Sequence, residues 1–369
     1  MIDIKNILVE AIESGASDIH INVGMPPVLR KNTELINIEL PDISNEDAKE
    51  MVLSMVGPDR YKKLKEKRDL DFSTTLDDGH RFRVNAHYQR DTIAISFRVI
   101  PNQIPTIEDL HLPPIVKELT DLPRGLVLVT GHTGSGKSTS LAGMVEVINT
   151  KYRKRIITLE DPVEYALENK MSMIEQREMG SDCPDFASGL KHVLRQDPDI
   201  IMVGEMRDLE TTSSTITAAE TGHLVFSTLH TINAPQTIER IIDIYPAAQQ
   251  NQIRTMLANT LQAVISQTLF RRIDEPGMVP CTEILLCTSA VRNCIRENRI
   301  YEIPNIIETS RRVGMQNMDN SIIDMYFKGF IDREEAITRS TNPGKMEKIL
   351  TPIGEFEAVQ QPKADPVLR

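Results

Sequence analysis

The sequence predicts an α/β protein in two parts. A small α/β domain covers residues 1–100, and a nucleotide-binding domain with a mainly parallel sheet covers 115–350. Three observations carry that prediction. VTGHTGSGKSTS, residues 129–140, fits G-x-x-x-x-G-K-[ST] in full, after an apolar run and before a helical one. GLVLVTG, RIITLED, DIIMVGE and HLVFSTLH are short, nearly continuous apolar runs separated by helical stretches. That alternation is the pattern of parallel strands buried by helices on both faces. Between the two parts, PNQIPTIEDLHLPP (101–114) carries four prolines and no clear period, and reads as a linker.

The elements follow in order. IKNILVEAIESG spaces Ile4, Ile7, Leu8, Ala11 and Ile12 along one helix face, with Gly15 as a C-terminal cap. SDIHINV is a short alternating strand. SNEDAKEMVLSMV opens with Ser44 and Asp47 at capping-box spacing and predicts a helix. DLDFSTTL, RFRVNAHY and IAISFRVI are strands, the first two joined by a turn at Asp77-Asp78-Gly79. Beyond 247 the pattern reads as mostly helical to about 340, and the Pro-rich tail 351–369 reads as loose.

Composition narrows the function. Among 369 residues, 53 acids outnumber 42 lysines and arginines, for a net charge of −11. Sequence-independent nucleic-acid binding rests on basic contacts to phosphates, so no nucleic-acid partner is expected. Cys183, Cys281, Cys287 and Cys294 form no CxxC pair, which argues against structural zinc and for reduced thiols. No run approaches the ~18 apolar residues of a membrane span. The N-terminus has acids where a secretion signal needs bases, so a cytoplasmic protein is expected.

The chemistry-bearing residues converge on a triphosphate. In the loop Gly131-His132-Thr133-Gly134-Ser135-Gly136-Lys137-Ser138-Thr139, glycines let backbone N–H groups turn toward phosphates. The following helix adds its positive end. Lys137 is expected on the β- and γ-phosphates and Ser138 on magnesium. Glu205 follows the apolar strand of DIIMVGE, at the end where ligands sit in open α/β sheets, and is the second candidate for magnesium. Glu160, Asp161 and Glu164 crowd after another strand; such carboxylates repel unless a cation or a proton-transfer task holds them. His223 and His230 flank HLVFSTLHT; a lone histidine is usually structural, but His230 follows the strand's C-terminal end, the edge facing the γ-phosphate, and could sense phosphate by hydrogen bonding. RFRVNAHY alternates, with Arg81 and Arg83 on the face opposite Phe82 and Val84, and strand pairing can add Arg98 to them. Arginine's planar fork suits phosphate. These three are candidates to approach the γ-phosphate, against the plainer alternative of a solvated or salt-bridged sheet face.

Together, GASDIHI, GHTGSGKST, ITLEDPVEY and VGEMRD with AAETGHLVFSTLH resemble the secretion-superfamily ATPases, over about residues 2–345. The resemblance implies a small PAS-like α/β N-terminal domain and a RecA-like P-loop core with a helical C-terminal part. It also implies a ring, usually a hexamer, acting at the inner membrane. Glu205 then matches the Walker B acid, Glu164 the catalytic glutamate, and His223 and His230 the His box. The zinc module and extra N-terminal domain usual in extension and type II secretion members are not expected here. AVRNCIREN (290–298) is similar to the AIRNLIRE signature of type IV pilus retraction ATPases, matching at Ala290, Arg292, Asn293, Ile295, Arg296 and Glu297. On a helix, Val291, Cys294 and Ile295 would be buried. Arg292, Arg296 and Arg299 would form a charged face, either solvated or a contact for a partner. One departure is Asn32, where the family tends to show glycine; a changed turn is expected there.

The combined expectation is a homohexameric, magnesium- and ATP-dependent motor for type IV pilus retraction and twitching motility. It would be peripheral to the inner membrane through a pilus platform protein, and a paralogous retraction ATPase could share its work. The alternatives are an extension or secretion ATPase of the same family, a low-activity ATP-binding accessory of another motor, and a RecA-like nucleic-acid translocase.

Overall fold

The computed structural model describes residues 3–31, 34–101 and 103–350. The expected turn at Asn32 and the tail 351–369 lie outside these residues. The chain divides into two units. The first comprises Met1–Ile104, Asp161–Glu168 and Glu178–Asp182; the second comprises Pro105–Glu160, Asn169–Arg177 and Cys183–Arg369. Residues 105–114, read from sequence as linker, therefore group with the second unit. The segment 161–168, read as part of the nucleotide domain, groups with the first.

In the first unit, α1 (Ile4–Ser14) is capped by the Asp3 side chain and ends at Gly15, whose φ of 72° favours glycine. The strands are β1 (Asp18–Ile21), β2 (Val28–Lys31), β3 (Glu34–Asn37), β4 (Asp69–Thr75), β5 (Arg81–Gln89) and β6 (Thr92–Ile100). They form one antiparallel sheet in the order β3-β2-β1-β6-β5-β4. The β2–β3 pair had no reading in the sequence. α2 (Asn45–Lys67) opens on the expected reciprocal Ser44–Asp47 capping box. Alternation along β5 buries Phe82, Val84 and Ala86, which pack with Ile7 and Leu8 of α1 and Met51 and Val52 of α2.

The second unit holds β7 (Gly125–Thr130), β8 (Arg155–Glu160), β9 (Met173–Glu178, whose last residue groups with the first unit), β10 (Ile200–Val203), β11 (Leu224–Leu229), β12 (Leu261–Arg271) and β13 (Met278–Leu286). The sheet order is β13-β12-β7-β11-β10-β8-β9, and β12, β7, β11, β10 and β8 pair in parallel. Every residue of β7, β10 and β11 is buried, as the continuous apolar runs require. The helices are α3 (Pro114–Glu118), α4 (Lys137–Lys151), α5 (Phe186–Val193), α6 (Leu209–Glu220), α7 (Ala234–Asp243) and α8 (Ala247–Thr260). After the β12–β13 hairpin come α9 (Ser289–Arg296), α10 (Ile303–Thr309), α11 (Met318–Phe327), α12 (Arg333–Thr338) and α13 (Pro343–Ile349).

Beyond 247 helices predominate, as the sequence suggests, but LQAVISQTLFR and MVPCTEILL, which had no strand reading, form antiparallel β12 and β13. A continuous apolar run carries no period that separates a buried strand from a buried helix. All four cysteines are free and buried. Burial pushes the Cys281 and Cys287 thiols up to about 12, far from thiolate reactivity. Among the described residues no His, Cys, Asp and Glu grouping suits a metal, and no helix is long and apolar enough to cross a membrane.

Candidate nucleotide-binding site

The site begins where β7 ends. Gly131, Gly134 and Gly136 have φ values of 144°, 78° and 82°, backbone that an L side chain rarely adopts, and α4 starts at Lys137. At Gly131 space is also decisive: a Cβ there would lie 2.3 Å from the Gln267 carbonyl oxygen and 2.5 Å from Ser135 Oγ. Gln267 belongs to β12, and its side chain is buried behind the loop. Its Nε2 donates to the Ser135 carbonyl at 2.5 Å, and its Oε1 accepts from Ser140 Oγ at 3.0 Å. The β12 neighbour Ser266 accepts from Thr130 Oγ1 at 2.9 Å. The loop is thus braced from the adjacent strand before any ligand arrives.

Lys137 lies folded over this turn, with Nζ donating to the Gly131 and His132 carbonyls at 2.8 and 2.9 Å. Burial lowers its pKa, and no anion among the described residues offsets that cost. A phosphate would supply the missing negative charge. His132, Thr133, Gly134 and Ser138 are exposed on the same loop, while Ser135 is buried and Thr139 half-buried in the first turn of α4.

Glu205 sits two residues beyond β10, at the same C-terminal edge of the parallel strands. Its carboxylate is held by the Arg207 guanidinium and lies 3.0 Å from His230 Nε2. Thr228 Oγ1 donates to the Gly204 carbonyl at 2.5 Å, tying β11 to the turn that carries Glu205. Burial, then the charges of Lys137 and Arg207, hold His230 below its ordinary pKa even beside Glu205. Its neutral form therefore prevails at neutral pH. The Ser138 hydroxyl and Glu205 carboxylate are hard oxygen donors of the kind magnesium takes. Ser138 lies in the first turn of α4, which follows β7, and Glu205 follows β10, two places from β7 in the sheet.

His223 precedes β11, where its carbonyl accepts from Gly125 N at 3.0 Å beside the start of β7. β7 and β11 run in parallel register from Gly125↔Leu224 to Thr130↔Leu229. His223 thus lies at the opposite edge of the sheet, about 20 Å from the phosphate loop of its own chain. Its Nδ1 is 2.9 Å from the Ala218 carbonyl, and the ring lines a cavity of about 300 Å³ with Asp121, Tyr152 and Asp199. Both ends of one strand carried histidine, and only the strand's direction relative to β7 tells them apart.

Glu164 is exposed and belongs to the first unit. The expected arginine face is present there: Arg83 pairs directly with Arg98 across β5 and β6, and Arg81 lies two residues earlier on the same face. Arg98 Nε donates to Asp18 Oδ1 at 2.9 Å, and Arg81 is paired with Glu178 at 2.9 Å. Arg83 is exposed.

The arginines of 290–298 do not form a free charged face. Arg292 turns back onto the last carbonyls of α8, donating to Ala258 and Asn259, and to Gln262 Oε1 at 2.9 Å. Arg296 donates to Asn259 Oδ1 at 3.1 Å, and Arg299 pairs with Glu302. Val291, Cys294 and Ile295 are buried as expected, and Ala290, Asn293, Arg296 and Glu297 are exposed. Gln267 and Glu178 were missed. Each is an ordinary polar residue in a strand, and nothing local marks either.

Comparison with known proteins places this geometry. The family model described as type II/IV secretion system protein matches residues 1–341. The type IV pilus retractation ATPase PilT of Pseudomonas aeruginosa is 42% identical over 341 residues, covering 92% of this chain and 99% of that protein. The type IV pilus ATPase PilU of the same organism is 35% identical over 356 residues, covering 96% and 93%. A crystal structure of the pilus retraction motor PilT with bound ADP superposes with a TM-score of 0.87 at 42% identity, covering 94% of this chain and all of that one.

Proposed function

Because the chain belongs to the type II/IV secretion system protein family, we propose that it is an ATP-hydrolysing motor that powers type IV pilus retraction. The observation that carries this reading is the braced phosphate loop, with Lys137 buried on its carbonyls and unpaired with any carboxylate among the described residues, in a chain that spans 99% of a retraction ATPase. Loop amides and Lys137 bind the triphosphate and take up charge that develops on transfer. Ser138 and Glu205 would hold magnesium, which would supply positive charge against the charge on the phosphates. His230, uncharged and close to Glu205, reports the γ-phosphate by hydrogen bonding. Glu164 orients and deprotonates the attacking water, and Arg81, Arg83 and Arg98 serve the nucleotide of the same chain or of a neighbour. The working form is a homohexameric ring docked on an inner-membrane platform protein, with a PilU-like paralogue as a further partner.

The test is a magnesium-dependent ATPase assay on the purified protein, joined to retraction in a deletion strain. Lys137→Ala should abolish hydrolysis and fail to restore retraction, while Glu164→Ala should bind ATP without turnover. A protein that neither binds nor splits ATP as an assembled ring refutes the motor. A deletion strain that still retracts pili but cannot make them assigns extension instead.

A further inference from the structure

Glu178 is buried, with only 5% of its side chain exposed, and the residues around it are those of catalytic interest. Its Oε2 accepts from Arg81 NH2 at 2.9 Å and from the backbone N–H of Val163 at 3.3 Å. Its Oε1 accepts from Ser73 Oγ at 3.2 Å, and Ser73 in turn accepts from Arg81 NH2 at 3.0 Å. The Glu178 amide donates to Asp182 Oδ2 at 2.8 Å, and the Asp182 amide donates back to the Glu178 carbonyl at 2.8 Å. Every one of these residues falls in the first unit.

One carboxylate therefore joins three pieces of chain distant in sequence: the β4–β5 ribbon bearing Arg81, the segment 161–168 bearing Glu164, and the 178–182 turn. We infer that Glu178 is a positioning residue for catalysis, fixing Arg81 and the Glu164 segment in one geometry so that base and arginine are presented as a set. This rests on the assignment of Glu164 and Arg81 above. The contacts favour positioning over sequestration. Glu178 and Ser73 engage only one terminal nitrogen of Arg81, and its Nε, also buried, has no hydrogen-bond partner among the described residues. An arginine has five N–H donors in a rigid plane, so anchoring one corner aims the rest. Misplacement by about 1 Å costs on the order of a hundredfold in rate, which gives a remote carboxylate leverage over the chemical step.

The experiment measures kcat, KM and fluorescent-ATP affinity on assembled rings of wild type, Glu178→Gln, Glu178→Asp, Arg81→Ala, Glu164→Gln and the double variant Glu178→Gln/Arg81→Ala. Glu178→Gln keeps the side chain's shape, so folding is retained, and ring mass and melting temperature verify it. The expected result is a kcat lowered about ten- to a hundredfold with nucleotide affinity unchanged, partial recovery in Glu178→Asp, and no further loss of the Arg81 contribution in the double variant. Wild-type kcat in folded Glu178→Gln overturns the inference while leaving the motor intact, provided Arg81→Ala and Glu164→Gln are slow. A faster Glu178→Gln overturns it in favour of a latch. If Arg81→Ala and Glu164→Gln both turn over normally, the catalytic assignments themselves fail, and the inference with them.

Discussion

Gln267 touches no nucleotide in this scheme, yet it sets the shape of the loop that does. Its amide bridges the Ser135 carbonyl and the Ser140 hydroxyl, and its own backbone carbonyl crowds Gly131 so closely that no side chain fits there. Gln267→Leu keeps the bulk and removes both bonds, leaving a buried carbonyl and hydroxyl unpaired at about 1–3 kcal/mol each. The expected outcome is lower stability in urea unfolding and at least about a tenfold loss of ATP affinity. Gln267→Glu keeps an acceptor for Ser140 but has no amide donor for Ser135, so it should share the affinity loss. Leucine at 267 with unchanged ATP binding would show that the loop holds its shape without the brace. The phosphate loop was legible because its glycines, lysine and serine must be contiguous to wrap one ligand. Gln267 was not, because its partner loop lies 132 residues away in sequence and a glutamine in an apolar strand announces nothing until the strands are paired.

At the scale of elements, the same division holds between what is local and what is long-range. Capping of α2 by Ser44 and Asp47 and alternation along β5 were readable, since each depends on residues a few positions apart. β12 and β13 were not. Their apolar runs become strands because β7 supplies a parallel edge for β12, a fact of tertiary pairing. The charged stripe on α9 was misjudged for the same reason. Arg292 sits on α9, but its guanidinium closes the C-terminal end of α8, where unsatisfied carbonyls and the helix dipole attract a cation. Its role is then first to join α8, β12 and α9. Arg292→Ala should lower stability by about 1–2 kcal/mol, which in a unit this size moves Tm by roughly 2–4 °C per kcal/mol. Arg292→Lys should recover only part of that, because a single ammonium cannot span the two carbonyls and Gln262 together. If Arg292→Ala melts like wild type but retraction stops, Arg292 acts on a partner and not on the fold.

For the whole molecule, the division into units sets what must move together. The phosphate loop, Glu205 and His230 belong to the second unit, while Glu164 and Arg81 belong to the first, where Glu178 bonds Arg81 and the amide of Val163, next to Glu164. In a closed ring, groups on one unit can serve the nucleotide of their own chain or of the next chain. Whichever holds, Arg81 and Glu164 must follow the same rule. Mixed rings decide it. Lys137→Ala protein is combined with Arg81→Ala protein, and separately with Glu164→Gln protein, each inactive alone. Service between chains regenerates a complete site wherever an intact loop meets an intact first unit, about a quarter of sites in a random equal mixture; service within a chain regenerates none. The expected outcome is that both mixtures recover ATPase activity or that neither does, measured after subunit exchange against unmixed controls. Recovery with Arg81→Ala but not with Glu164→Gln, or the reverse, would mean that base and arginine attend different nucleotides. No shared carboxylate could then be aligning them for a single phosphoryl transfer.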